Sequence, residues 1–143
     1  MTTPERRDPT QLLTEDEVSL AVRSHLEKDG WTITSWATAA GRKHGDDIVA
    51  ERDDRQLIIE VKGETSSDPK SNRFGFAFDS TQVTSHVAMA TFKALQVVSK
   101  GVQAGIALPD ERLHRRTLGA IQPALSGLGI SVFWVDRHVA VVV

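Results

Sequence analysis

The segment GDDIVAERDDRQLIIEVKG, from Gly45 to Gly63, constrains the fold more than any other part of the chain. Two runs rich in Ile, Val and Leu flank the polar pair Asp53-Asp54, the pattern of two antiparallel strands joined by a tight turn. Side chains alternate across a strand, so a turn centred between Asp53 and Asp54 settles which residues share a face. Ile48, Ala50, Leu57, Ile59 and Val61 then point one way, into a core. Asp47 and Glu60 point the other way and stand directly opposite each other, with Cβ atoms about 4.5–5.5 Å apart. Lys62 lies two residues beyond Glu60 and shares their face. A bulge would spoil this register. Facing carboxylates repel, and a cation between them resolves the conflict. Oxygen donors with no His or Cys nearby in sequence favour a hard ion over zinc: Mg2+, with Mn2+ able to substitute.

Around this hairpin the chain alternates helix and strand. Thr14 and Glu17 form a capping box, and Val18, Ala21, Val22, His25 and Leu26 recur at helical spacing until Asp29-Gly30. WTITSWAT predicts a strand ahead of the hairpin. The connection 63–79 is longer than the roughly 12–15 residues a passive link uses. From Ser80 to Lys100 the residues Val83, Val87, Ala90, Ala94 and Val98 mark one helical face. QAGIALP predicts a strand, and DERLHRRTLGAIQPAL a helix that Pro123 kinks or shortens. ISVFWV and HVAVVV predict two closing strands around Asp136-Arg137.

The 143 residues suit one domain, over 13–143, preceded by a flexible leader over 1–12. A net charge of −2 argues against a protein that coats nucleic acid through bulk positive charge, so a polyanion must meet a local basic patch or a metal ion. Cysteine is absent, which excludes disulfides and thiolate metal sites. The opening MTTPERRDPT has no apolar core of a signal peptide, and no apolar run approaches the roughly 20 residues of a membrane span, so a cytoplasmic location without membrane partners is the expectation.

Gly45-Asp46-Asp47-Ile48 followed by Glu60-Val61-Lys62, taken with the α-β-β-β-α-β order, resembles the PD-(D/E)XK nuclease superfamily. Within it the likeness is to the branch of Holliday-junction resolvases and Mrr-type restriction enzymes. The resemblance spans residues 14–109, with Asp46 where the motif's name has proline, and the last helix and hairpin read as an individual extension. It implies a restriction-endonuclease-like α/β/α sandwich with a central mixed sheet, in the order α-β-β-β-α-β-α-β-β. It further implies a Mg2+-dependent endonuclease of restriction or repair type, acting on DNA as a homodimer or within a larger complex. Asp47 and Glu60 would hold the metal with the Val61 carbonyl and a phosphate oxygen. Lys62 would orient the attacking water or stabilise charge on the phosphate. The family often adds a Glu from the first helix. Glu17 is the first candidate and Glu15 the second, against the plain alternative that Glu17 only closes the capping box. Gln82, opening the helix after the third strand, matches a Gln that touches the lysine or the water in related branches.

Further residues carry two readings each. Arg42, Lys43 and His44, just before the Asp47 strand, suit either a grip on phosphate or a solvated turn. Lys70 and Arg73, in the long connection, are candidate nucleic-acid contacts. His86 shares a helix face with Gln82 and reads as a partly buried histidine, while Arg112, His114, Arg115 and Arg116 read as a solvent face. Phe74, Phe76 and Phe78 would lie on one side of an extended segment, as a lid over the core, a subunit contact or a platform for bases. The competing function is a catalytically inactive module of the same fold that binds nucleic acid or a protein partner.

Overall fold

Thr14 Oγ1 accepts the Glu17 N–H while Glu17 Oε1 accepts the Thr14 N–H, and this reciprocal cap starts α1 (Glu15–Lys28). Gly30, with φ +88°, turns the chain out of the helix into β1 (Thr32–Trp36). Next come β2 (Ile48–Arg52) and β3 (Arg55–Val61), joined by Asp53 and Asp54, both with φ above zero as a two-residue hairpin turn requires. Asp79 and Gln82 cap α2 (Ser80–Ser99) in the same reciprocal way. β4 (Gln103–Pro109), α3 (Arg112–Gly119), α4 (Gln122–Gly127), β5 (Ser131–Val135) and β6 (Val141–Val142) complete the chain. The computed structural model describes residues 7–38, 45–66, 70, 72 and 75–143.

The strands form a six-stranded mixed sheet in the order β1-β2-β3-β4-β5-β6. β1, β2 and β3 are antiparallel neighbours, β3, β4 and β5 are parallel, and β6 returns antiparallel to β5. Helices cover both faces. α1 packs on Ile48, Ala50, Leu57, Ile59 and Val61, which are all buried in one cluster. α2, α3 and α4 pack on Ala104, Ile106, Leu108, Val132 and Trp134 on the other side. Among the described residues this is an α/β fold with four helices, none of them long and apolar enough to cross a membrane.

Two sequence expectations change. The helix expected over DERLHRRTLGAIQPAL is two, α3 and α4, because Pro123 falls in the first turn of a new helix where its missing N–H costs nothing. The C-terminal strands join the sheet: β5 pairs with β4 throughout, and Trp134 is buried in the core. Only Val141–Val142 of HVAVVV pair as a strand, since Asp136 Oδ1 accepts the N–H groups of His138 and Ala140 and holds the intervening residues in a turn.

Of the leader expected over 1–12, residues 1–6 lie outside the described residues, and Arg7 ties the remainder to the domain. Arg7 donates to Glu17 Oε2 at 2.7 Å and to the backbone carbonyls of Asp8, Gln11 and Arg137. Glu64, which the sequence did not single out, is buried and ties three parts of the chain together. Its carboxylate accepts the Leu13 N–H at 2.7 Å and two donors of Arg137, and its backbone pairs with Leu13 and Phe78. Removing it would leave the Leu13 N–H buried without a partner and Arg137 without its carboxylate. Glu64→Ala is therefore expected to lose about 3 kcal/mol of unfolding free energy in urea titration, whereas Arg116→Ala on the exposed α3 surface loses under about 1 kcal/mol.

Candidate active site

The Asp53-Asp54 turn sets β2 and β3 in the expected register, from Arg52↔Arg55 through Ile48↔Ile59. Asp47, one residue outside β2, therefore faces Glu60, and both lie on the α2 side of the sheet. Asp47 Oδ2 accepts the Val61 N–H at 2.8 Å, and the Asp47 carbonyl accepts the Ala37 N–H at 2.9 Å. A poor strand former stands at this position because its side chain replaces the next backbone rung. On the other edge of β3, the Lys62 N–H donates to the Ala107 carbonyl at 3.0 Å. Pro109 has no N–H with which to extend that ladder. β3 thus parts from both neighbours at Val61-Lys62, and strand alternation turns the Val61 carbonyl to the same side as the N–H that Asp47 takes.

The first turn of α1 closes over this opening because residue 63 is glycine. A Cβ there would lie 2.5 Å from the Glu15 nitrogen and 3.0 Å from the Leu13 oxygen. The close approach brings Glu15 into the field of Asp47, Lys62 and Lys93. Burial pushes the Glu15 carboxyl up to about 7, the nearby Asp47 carboxylate adds to the rise, and Lys62 opposes it.

Glu60 is only 3% exposed. Burial, then the charge of Asp47, likewise raises its carboxyl to about 7, against the pull of Lys93. Lys93 Nζ lies 3.4 Å from Glu60 Oε2. That is an ion-pair distance, at the long end for a hydrogen bond, and among the described residues Oε2 has no partner in good hydrogen-bond geometry. Lys93 was missed in the sequence because it sits between Ala90 and Ala94 on a helix read only for its apolar stripe. The available signal was its isolation: α2 contains no other Asp, Glu, Lys or Arg.

The structure gathers Asp47, Glu60, Val61 and Lys62 at one end of β3 and adds Glu15 and Lys93. Glu17 is a correction. Its carboxylate is engaged by the Thr14 cap and by Arg7, so the second candidate, Glu15, is the α1 carboxylate beside Asp47. Gln82 is the third helical residue of α2, and its Oε1 accepts the Asp79 N–H at 2.9 Å, which leaves its amide nitrogen as the group it can offer. His86 is half-buried, stacked edge-on to Phe78 at 4.5 Å, and its pKa is lowered by burial and by Lys62. His114 is a second correction. It is 1% exposed and bonded through Nδ1 to Glu111, while Arg112, Arg115 and Arg116 face solvent, because His114 and Leu118 share the inward side of α3. Lys70 is exposed in the long connection. Phe76 is exposed and Phe78 half-buried, so those rings do not form one platform. Arg42, Lys43, His44, Arg73 and Phe74 lie outside the described residues.

Among the described residues no group of three or more His, Asp or Glu side chains is close enough to hold an ion alone. The donor set at β3 is instead two carboxylates and a backbone carbonyl, the sparse oxygen set with which Mg2+ is bound when phosphate and water complete its shell. The buried, unbonded Oε2 of Glu60 fits such a role. No family model, curated protein or solved structure matches the chain.

Two outcomes follow from this geometry. Gly63→Ala is expected to displace the first turn of α1, since the clash is with backbone, and to bring the Glu15 carboxyl back toward 4.5. A carboxyl-resolved NMR titration reads that change. The second concerns pH. The folded chain holds protons on Glu15 and Glu60 to about 7, whereas the unfolded chain releases them near 4.5. Their stabilisation is complete below about 4.5 and is lost as pH rises through about 7. The melting temperature should fall over that interval, and Glu60→Gln, which stays neutral, should flatten part of the fall in calorimetric scans.

Proposed function

We propose that this chain is a divalent-metal-dependent nuclease of restriction-endonuclease-like fold that hydrolyses phosphodiester bonds in DNA. The observation that carries the proposal is the facing of Asp47 and Glu60 where β3 leaves the sheet, with the Glu60 Oε2 buried and unbonded and Lys62 near enough to oppose the rise of the Glu15 pKa. Support also comes from the α-β-β-β-α-β order of the first elements, with Glu60 on β3 and Asp47 and Lys62 one residue beyond the ends of β2 and β3.

Asp47, Glu60 and the Val61 carbonyl would hold the ion, and Glu15 supplies further negative charge at its edge. When bound, a divalent ion supplies Lewis acidity to a phosphodiester and to a water. The chain's own residues do the rest. Asp47 is fixed by the Val61 N–H, so its carboxylate is oriented before substrate arrives. Glu60 is fixed by the sheet and cannot swing out to solvent. Lys62 places an ammonium on the same face, where it meets the negative charge that grows on phosphate during attack. At a net charge of −2 the protein has no bulk attraction for a polyanion, so neutralising the carboxylates is a precondition for DNA to approach.

A supercoiled plasmid incubated with purified protein and Mg2+ or Mn2+ should be nicked or linearised, and chelation should stop the reaction. Lys62→Ala and Asp47→Asn should each lower the rate by about a hundredfold or more. Equal residual rates in wild type and both variants would assign the cutting to a contaminant. Retained DNA binding with no cleavage under any metal condition would favour the inactive binding module instead.

A further inference from the structure

Nothing in the hairpin accounts for Lys93. It stands alone as a charged residue on α2, and its ammonium points at the most deeply buried carboxylate of the site. The two partners differ sharply in exposure, with the Lys93 side chain 44% exposed and that of Glu60 4%. At 3.4 Å from Glu60 Oε2 the ammonium is held more by charge than by a short directional hydrogen bond. A lysine head rides on a flexible four-carbon stem, and here the stem springs from a capped helix packed on the sheet. The ammonium can therefore leave Glu60 for solvent without any backbone movement, whereas Glu60 has nowhere to go.

We propose that Lys93 is a built-in stand-in for the divalent ion: it neutralises Glu60 in the metal-free protein, must give way when the ion enters, and so sets how tightly the site takes metal. This inference rests on the metal-dependent reading of the site. Without Lys93, the metal-free protein would hold Asp47, Glu60 and Glu15 with Lys62 as the remaining nearby cation. With it, the ammonium and the ion compete for the same oxygen, and each weakens the hold of the other.

The test is calorimetric titration of Mn2+ into the whole chain, as wild type, Lys93→Met and Lys93→Arg, paired with melting curves in the absence and presence of Mn2+. Lys93→Met should bind Mn2+ about tenfold tighter or more, melt lower than wild type when metal-free, and be stabilised by Mn2+ to a greater degree. Lys93→Arg keeps the charge and should resemble wild type. If Lys93→Met does not fold, Lys93→Gln makes the same comparison. A side chain with only a packing role would lower the metal-free melting temperature and leave Mn2+ affinity unchanged, and that result, or weaker binding in Lys93→Met, overturns the proposal while leaving the nuclease reading intact. Absence of Mn2+ binding in wild type and every variant overturns both.

Discussion

Asp53 and Asp54, both held at positive φ, close the β2–β3 hairpin and impose one register on it. The facing of Asp47 and Glu60 descends from that register. A slip of one residue would turn Ile48, Ala50, Leu57, Ile59 and Val61 out of the α1 core and drive Glu60 into it. Five apolar side chains buried together leave that alternative no competitive energy, since Ile48, Leu57, Ile59 and Val61 each contribute about 1.5–3 kcal/mol when fully buried. The hydrophobic half of the hairpin thus enforces the position of the polar half. Asp47 and Glu60 face each other because their neighbours have no other way to pack.

The cost of this arrangement is electrostatic. Two carboxylates share a poorly solvated corner with a third, Glu15, and burial raises both Glu15 and Glu60 toward neutrality. Lys62 and Lys93 offset the charge only in part, and the ammonium nearest Glu60 lies 3.4 Å from it. Under the proposed function, a bound cation is what would resolve the conflict. The same residues would be poor choices for stability alone, because an apolar pair at positions 47 and 60 would remove the repulsion.

Two backbone details open the corner and frame it. The Asp47 side chain ends the ladder on one edge of β3 and Pro109 ends it on the other, so the strand separates from its neighbours at Lys62. Gly63 then lets the first turn of α1 pack against the departing chain. Just beyond, buried Glu64 binds Leu13 and Arg137, anchoring the entry to α1 and the β5–β6 turn against the exit from β3. The wall around the site is thus built from segments far apart in sequence.

Local chemistry in the sequence determined much of the fold. Reciprocal caps at Thr14-Glu17, the Gly30 stop, the Asp-Asp turn and the period-two and helical apolar patterns are satisfied by neighbouring residues, and each was legible for that reason. The facing of Asp47 and Glu60 was legible too, because a tight hairpin converts spacing into geometry. Tertiary structure alone decided the rest. Glu15 and Glu17 are equally plausible as letters, and the choice between them rests on Arg7 and the cap holding Glu17 while Gly63 admits Glu15. His114 looked exposed among arginines until the packing of α3 turned it inward. Lys93 and Glu64 gave no local pattern, because their partners come from other elements of the fold. Local hydrogen bonds and side-chain periods act over a few residues and can be read from order alone, whereas a buried charge finds its partner through the fold, and only the folded chain names it.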